Sequence, residues 1–237
     1  MHVMSKRAVI LAGGKGTRLK PYTVSIPKPL VPLDETPILE IIIQQLKKSG
    51  FDHLTLAVNH MSEIIKDFCK DGSKWSIKID YSLEEKPLST MGPLKLINDL
   101  PENFLVMNGD ILTNLDFNDF YEKHTLSKSI FSISSFDRLE LVDYGVLETK
   151  DERLIKLEEK PLKPYEVSMG IYMMSKEALD FIPRDKEFGF DNLMHSLIDN
   201  DHEVRVVKFK EYWQDIGRPS DYIQASKDFK DFKKNFL

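Results

Sequence analysis

Three features of the 237-residue sequence predict an α/β fold with a mostly parallel or mixed central sheet and helices on both faces. Short, continuously apolar runs alternate with segments of helical period. Those runs lack the polar positions of a half-exposed strand, so both of their faces are expected to be buried. After about Ser127 the spacing tightens to strand after strand, which reads as an antiparallel or mixed extension of the same sheet.

Arg7–Ala12 reads as the first buried strand. Ile38–Ser49 has apolar residues at Ile38, Leu39, Ile41, Ile42, Ile43 and Leu46, then Lys47, Lys48 and Gly50. That is a helix with basic residues in its last turn and glycine beyond it. Leu54–Val58 is a second strand, and Ser62–Lys70 a second helix with Ser62 as its N-cap. Ile77–Tyr81 alternates like a strand, Met91–Leu100 reads as a helix and Phe104–Met107 as a buried strand. Ser129–Ser135, Gly145–Thr149, Arg153–Glu158 and Val167–Met174 read as strands. A helix near Asp191–Asn200, a strand near Glu203–Lys208 and a helix from Ser220 onward complete the pattern. No repeat or low-complexity linker divides it, so residues 1–237 are expected to form one domain. Met1–Ser5 look like a loose leader, with Met4 an alternative start.

The chain is 41% apolar and 30% charged, with a net charge of −5. No basic stretch is dense enough for a nucleic-acid face. An acidic protein that binds phosphate must use a local cluster. A single cysteine, Cys69, excludes an internal disulfide framework. No apolar run approaches the ~20 residues that span a bilayer, and no signal peptide is evident, so a cytoplasmic protein is expected.

The chemistry starts at Leu11–Leu19, LAGGKGTRL. Glycines at 13, 14 and 16 follow directly on a strand, where bare backbone can approach a ligand and its N–H groups can form an anion-binding concavity. Arg18 adds a rigid cationic fork and Lys15 a mobile charge. The P-loop spacing is absent, and Leu19 occupies the third glycine position of the dinucleotide fingerprint. A plain tight turn is the competing reading. In Ile26-Pro27-Lys28-Pro29-Leu30 two prolines stiffen the backbone around Lys28.

Phosphate chemistry calls for a divalent ion. Asn108-Gly109-Asp110 follows a buried run, where open α/β sheets place their ligands, although the tripeptide alone reads more readily as a plain turn. Asp215 lies in Trp213-Gln214-Asp215-Ile216-Gly217-Arg218-Pro219, between an aromatic and a Gly-x-Pro corner. Two aspartates over a phosphate chain suit Mg²⁺, which keeps several waters and few protein ligands. Glu158-Glu159-Lys160-Pro161 and Tyr144-Gly145 are uninformative alone.

In this order, these pieces resemble the sugar-1-phosphate nucleotidyltransferases over nearly the whole chain. Leu11–Leu19 with Pro27-Lys28-Pro29 is similar to that family's signature loop. Asn108-Gly109-Asp110, Glu159-Lys160-Pro161, Met169-Gly170-Ile171-Tyr172 and Trp213–Gly217 are similar to its later motifs. The resemblance implies a Rossmann-like, type A nucleotidyltransferase fold, with a nucleotide-binding half over about 5–125 and a sugar-binding half over about 126–237. It implies Mg²⁺-dependent attack of a sugar 1-phosphate on the α-phosphorus of a nucleoside triphosphate, with no covalent enzyme intermediate. Arg18 would hold the departing pyrophosphate, Lys28 the phosphates in flight, and Asp110 and Asp215 the metal. The nucleotide would lie against Leu11, Ala12, Gly13, Gly14, Gly16, Thr17 and Gly109, with Asn59, Pro87, Thr90 and Gly92 on its other side. Glu159 would accept from sugar hydroxyls, Lys160 would reach the sugar phosphate, and Gly145 and Gly170 would line the sugar pocket.

Pro87-Leu88-Ser89-Thr90-Met91-Gly92-Pro93-Leu94 is most similar to the guanylyltransferase run, with Ser89 for the usual glycine and Met91 for the usual alanine. If this segment frames the base, Met91 reshapes that pocket. The chain ends soon after the Trp213 motif, without the β-helical domain of many relatives. That is similar to single-domain members that activate mannose or heptose phosphates for surface polysaccharides. A uridylyl or other base-specific transferase on glucose or amino-sugar phosphate is the alternative. A catalytically silent subunit is another, although Arg18, Lys28, Asp110 and Asp215 are all present. A dehydrogenase would need an acid after the second strand, where Asn59-His60 stands. His60, His124 and His195 lack metal-ligand spacing and are expected at the surface or in packing. The composition leaves a homo-oligomer open.

Overall fold

A computed structural model describes residues 5–237. Apart from Ser5, the expected leader, with Met4 as alternative start, lies outside the described residues. The strands are β1 (Arg7–Leu11), β2 (Pro32–Leu33), β3 (Thr36–Pro37), β4 (His53–Val58), β5 (Lys78–Leu83), β6 (Asn103–Asn108), β7 (Ile111–Thr113), β8 (Phe131–Leu141), β9 (Gly145–Lys150), β10 (Arg153–Glu159), β11 (Leu162–Ser175), β12 (Val204–Phe209) and β13 (Trp213–Asp215). The α-helices are α1 (Ile38–Lys48), α2 (Ser62–Cys69), α3 (Phe117–Thr125), α4 (Phe190–Asp199) and α5 (Pro219–Asp231).

Seven strands form the central sheet in the order β12-β8-β11-β6-β1-β4-β5. β1 runs parallel to β4 and β6, β4 to β5, and β12 to β8. Only β11 runs antiparallel to its neighbours, β6 and β8. The apolar runs are split by the pleat between two cores. Ala8 and Ile10 of β1 face a core shared with α1, α3 and α5, while Val9 faces one shared with α4. Leu105 and Met107 of β6 join the first, and Phe104 and Val106 the second. This two-sided burial explains why the runs carry no polar alternation.

Several expectations need correction. Residues 91–100 are not an α-helix: only a short 3-10 turn, Gly92–Leu96, forms, with Pro93 at its start. The backbone N–H groups of Met91 and Gly92 donate instead to the carbonyl of Phe188, at 2.9 and 3.0 Å. Ser62 is the first residue of α2 rather than its cap; Met61, at φ 55°, precedes the helix without a side-chain cap. β9 and β10 pair only with each other and do not extend the central sheet. Helix α3 was not anticipated, although the carboxylate of Asp116 caps it by accepting from the N–H groups of Asn118 and Asp119. Its signal is a capping aspartate ahead of Phe117, Phe120 and Tyr121, all buried.

Candidate active site at the C-terminal edge of the sheet

Because β1, β4, β5 and β6 are parallel, their C-terminal ends open on one edge of the sheet. A cleft of about 380 Å³ lies there, lined by Leu11, Asn59, Glu84 and Asn108 from those strand ends. Gly13, Gly14 and Lys15 form one wall, and Pro87, Ser89, Thr90 and Pro93 another. Beside it is a smaller pocket of about 200 Å³, bounded by Gly14, Gly16, Thr17, Arg18, Lys28, Asp110 and Gly217. Gly14 and Asp110 belong to both.

The glycine turn is open backbone. Among the described residues no atom lies within 4 Å of where a Cβ on Gly14 would be, so packing does not require glycine there and the backbone is open to the cleft. Gly16 sits at φ 61°, and a Cβ there would come within 2.9 Å of the Thr23 methyl. Thr23 also donates its hydroxyl to the carbonyl of Gly16 at 2.7 Å, pinning the turn. The guanidinium of Arg18 has no ion pair or side-chain hydrogen bond among the described residues. Ala12 is buried and donates its N–H to Ala57 at 2.8 Å, so it contributes backbone behind the cleft wall.

Lys28 is buried, on a 3-10 turn between Pro27 and Leu30 whose ends are joined by a 2.8 Å backbone bond. Its Nζ donates to Oδ2 of Asp110. The other oxygen, Oδ1, is buried and has no hydrogen-bond partner among the described residues. Asp110 is held by close backbone packing on both sides. Gly109 donates to the carbonyl of Leu11 at 3.0 Å, and Ile216 donates to the carbonyl of Asp110 at 3.0 Å. A Cβ on Gly109 would stand 3.0 Å from the Leu11 oxygen, so glycine permits this approach.

β13 brings the distant Asp215 here by pairing with β7, opposite Ile111. Burial raises the carboxyl pKa of Asp215, and the nearby Asp110 charge raises it further; Lys28 and Arg18 oppose both effects. Two carboxylates therefore share one small space with two cations. Among the described residues no group of three or more His, Cys, Asp or Glu side chains is arranged to hold a metal. A pair of aspartates, one with an orphaned oxygen, fits an ion that takes its remaining ligands from water and substrate phosphate.

The other expected residues divide. Leu11, Gly13, Gly14, Asn59, Pro87 and Thr90 line the large cleft, and Gly16 and Thr17 the small pocket. Gly92 lines neither: it is buried, and a Cβ would stand 2.9 Å from that of Leu88. Met91 is 0% exposed within the second core, so it does not frame the cleft. Gly170, at φ 72°, packs on Asn108, whose Nδ2 lies 2.5 Å from where a Cβ would be. Gly145, Glu159 and Lys160 lie on and beside the β9–β10 hairpin, outside both cavities. Glu159 is exposed, and Lys160 pairs with Asp143 at 2.7 Å.

Sequence reasoning overlooked Glu84. It directly follows β5 and lines the cleft; its Oε1 accepts from the N–H of Leu88, while Asn59 Nδ2 reaches its backbone carbonyl at 2.8 Å and Oε2 at 3.4 Å. Burial raises its pKa. The available signal was an acidic residue at a parallel-strand end, directly before a proline loop. Asn108, quoted within the Asn108-Gly109-Asp110 motif but given no role of its own, also lines the cleft.

Residues 7–231 match the family model described as nucleotidyl transferase. The chain belongs to this family. It is 33% identical to a D-glycero-α-D-manno-heptose 1-phosphate guanylyltransferase of Campylobacter jejuni, over 91% of this chain and 96% of that one. It is also 33% identical to a UTP–glucose-1-phosphate uridylyltransferase of Synechocystis, over 92% of this chain but 62% of that protein's length. The match to mannose-1-phosphate guanyltransferase beta-A of Xenopus laevis likewise spans 62% of the relative. The solved structure of HddC from Yersinia pseudotuberculosis complexed with GMP-PN superposes with a TM-score of 0.72 at 30% identity, covering 94% of this chain and 99% of that one. Among the described residues of this nucleotidyl transferase, no helix is long and apolar enough to cross a membrane.

Proposed function

We propose that this nucleotidyl transferase moves a guanylyl group from GTP to a mannose- or heptose-type sugar 1-phosphate, releasing pyrophosphate, with Mg²⁺ as the metal. The carrying observation is the joining of two cavities at Asp110: a cleft that Glu84 lines, and a pocket lined by Arg18, Lys28 and Asp110, whose charges also act on the nearby Asp215. The first suits a base, the second a phosphate chain.

A sugar-phosphate oxygen attacks the α-phosphorus, and the bond from that phosphorus to the bridging oxygen of pyrophosphate breaks. Arg18 and the N–H groups of Gly14 to Thr17 hold the departing pyrophosphate. Lys28, stiffened by its prolines, donates to the α-phosphate as charge builds there. Asp110 and Asp215 would hold Mg²⁺, which when bound neutralises phosphate charge and aligns attacking and leaving oxygens. Preorganised charge and alignment supply the acceleration, so no nucleophilic side chain is required. On the sugar side, Glu159 accepts from hydroxyls, Lys160 leaves Asp143 for the sugar phosphate, and Gly145 and Gly170 give room.

Glu84 supports guanine. Guanine presents N1–H and its exocyclic amine side by side, and one carboxylate can accept both. Uracil offers one N–H between two carbonyl oxygens, which a carboxylate repels. The heptose and mannose relatives support the sugar class.

Pyrophosphate release with Mg²⁺ is the direct test, with GTP, UTP, CTP, dTTP and ATP each paired with a panel of sugar 1-phosphates. Release with GTP and a mannose or heptose phosphate is expected. Preferential release with UTP would replace the guanylyl reading by the uridylyl one. No release from folded, triphosphate-binding protein would indicate a silent binding subunit.

A further inference from the structure

Pro87, Ser89, Thr90 and Pro93 form one wall of the large cleft. Between the end of β5 and the short turn at Gly92 this wall is neither helix nor strand. Ser89 sits at φ 64°, in the left-handed region that a residue with a Cβ adopts only where its surroundings impose it. Those surroundings are the turn Phe188–Phe190, which leads into α4. The N–H of Phe188 donates to the carbonyl of Leu88 at 2.9 Å, and the Phe188 carbonyl accepts from Met91 and Gly92 at 2.9 and 3.0 Å. The N–H of Phe190 donates to Oγ1 of Thr90 at 2.8 Å. Glycines permit the close approach: a Cβ on Gly92 would stand 3.0 Å from the Lys186 carbonyl oxygen, and one on Gly189 3.3 Å from Oγ of Ser89.

The turn is itself held from two sides. Oδ1 of Asn192 accepts from the N–H of Gly189 at 2.9 Å and closes the first turn of α4. The Phe190 ring stacks on Tyr172 of β11, with centroids 4.8 Å apart and planes at 18°. Tyr172 in turn pairs with Val106 of β6 in the central sheet. The wall is therefore tied to the sheet through α4 as well as through β5. Glu187, beside the turn, is near enough for its charge to act on Glu84.

We propose that the turn Phe188–Phe190 positions the base-facing wall of the cleft, with Phe190 and Asn192 as positioning residues that never touch the nucleotide. This rests on the reading of the large cleft as the base site. Thr90 lines that cleft, and its Oγ1 is held by the Phe190 N–H, which fixes how the hydroxyl is presented. Without the ring at position 190 the start of α4 loses its stack on Tyr172. The bonds to Leu88, Met91 and Gly92 then no longer hold the wall at one distance from Leu11 and Gly13, and Ser89 relaxes from its left-handed conformation. The phosphate pocket shares no residue with this wall, so the grip on phosphates stays as it is. Base affinity is thus set in part from outside the cleft, by the packing of a helix end.

Titration calorimetry on the full chain tests this, with Mg²⁺ and no sugar phosphate, using GTP, UTP and inorganic tripolyphosphate as probes. The tighter-binding of the two nucleotides is the readout. Phe190→Leu should weaken it about tenfold and Asn192→Ala about threefold, while tripolyphosphate, which has no base, binds both variants as it binds the wild type. Phe190→Tyr keeps the ring and should restore wild-type affinity. Circular dichroism checks the fold. If Phe190→Leu does not fold, the exposed Asn192 decides alone. Unchanged nucleotide binding in the folded variants would overturn the proposal. So would a Phe190→Tyr variant as weak as Phe190→Leu, or a loss of tripolyphosphate affinity in step with the nucleotide, which marks general loosening. Glu84→Gln, titrated in parallel, separates the two readings. Unchanged nucleotide binding there would remove the base from this cleft and the proposal with it. Weakened binding there, with unchanged binding in the α4 variants, would overturn the positioning role alone.

Discussion

Lys28 donates to one oxygen of Asp110, while the second oxygen of the same carboxylate is buried with no partner. A buried acceptor left empty costs about 1–3 kcal/mol, so this arrangement is tolerated where a ligand completes it. Lys28 and Asp110 form an ion pair in a confined space, both side chains largely buried.

Asp110→Asn keeps the volume and removes the charge. Steady-state pyrophosphate release should fall about 10³-fold, a loss of ~4 kcal/mol of transition-state stabilisation. The melting temperature should not fall with it. Turnover within tenfold of wild type would remove Asp110 from metal binding.

Glu84→Gln exchanges two acceptors for one acceptor and one donor. kcat/KM for GTP should drop about 10–100-fold, or ~1–3 kcal/mol, while that for UTP holds or rises. Acid should mimic the substitution. Burial raises the Glu84 pKa above the ordinary 4.5, so acid removes this carboxylate at a higher pH than it removes an exposed one. The GTP KM of the wild type should therefore climb on acidification, and that of Glu84→Gln should not. Parallel pH profiles in the two proteins would exclude a base-reading role.

The strands and the glycine turn were legible because their causes are local. Ala8 to Ile10 is buried on both faces, and Gly13, Gly14 and Gly16 are clustered in sequence. Asp215 stood out through its aromatic and Gly-x-Pro flanks, but its nearness to Asp110 was not legible, since it depends on β13 pairing with β7 about a hundred residues upstream. Residues 91–100 misled because Leu94, Ile97 and Leu100 have helical spacing yet pack as irregular chain, with Met91 and Gly92 bonded to Phe188. Glu84 was missed because a strand-end carboxylate looks solvated until β4 and the loop after it bring Asn59 alongside.

Met91 illustrates the same point as an experiment. Its side chain is fully buried with Leu94, Leu193 and Val106 rather than at the cleft. Met91→Ala should leave the ratio of GTP to UTP rates unchanged and destabilise the protein by about 2–4 kcal/mol in urea. A changed ratio at unchanged stability would return Met91 to the base pocket.

His124 predicts how the fold responds to acid. The imidazole is 1% exposed and hydrogen-bonded to the hydroxyls of Ser132, at 2.8 Å, and Ser175, at 3.2 Å. Burial, reinforced by the Arg205 charge, pushes its pKa from the ordinary 6.5 down to about 4. Between those values the unfolded chain binds a proton that the folded chain excludes. Stability from this residue is therefore complete above 6.5 and is lost as pH falls toward 4. The loss is on the order of 3 kcal/mol. His124→Gln cannot take up that proton. Urea unfolding of both proteins should show the wild type's advantage shrinking by about 2–3 kcal/mol from neutral pH to the acid end of this window. An advantage that is the same at both ends would place the acid sensitivity in other groups.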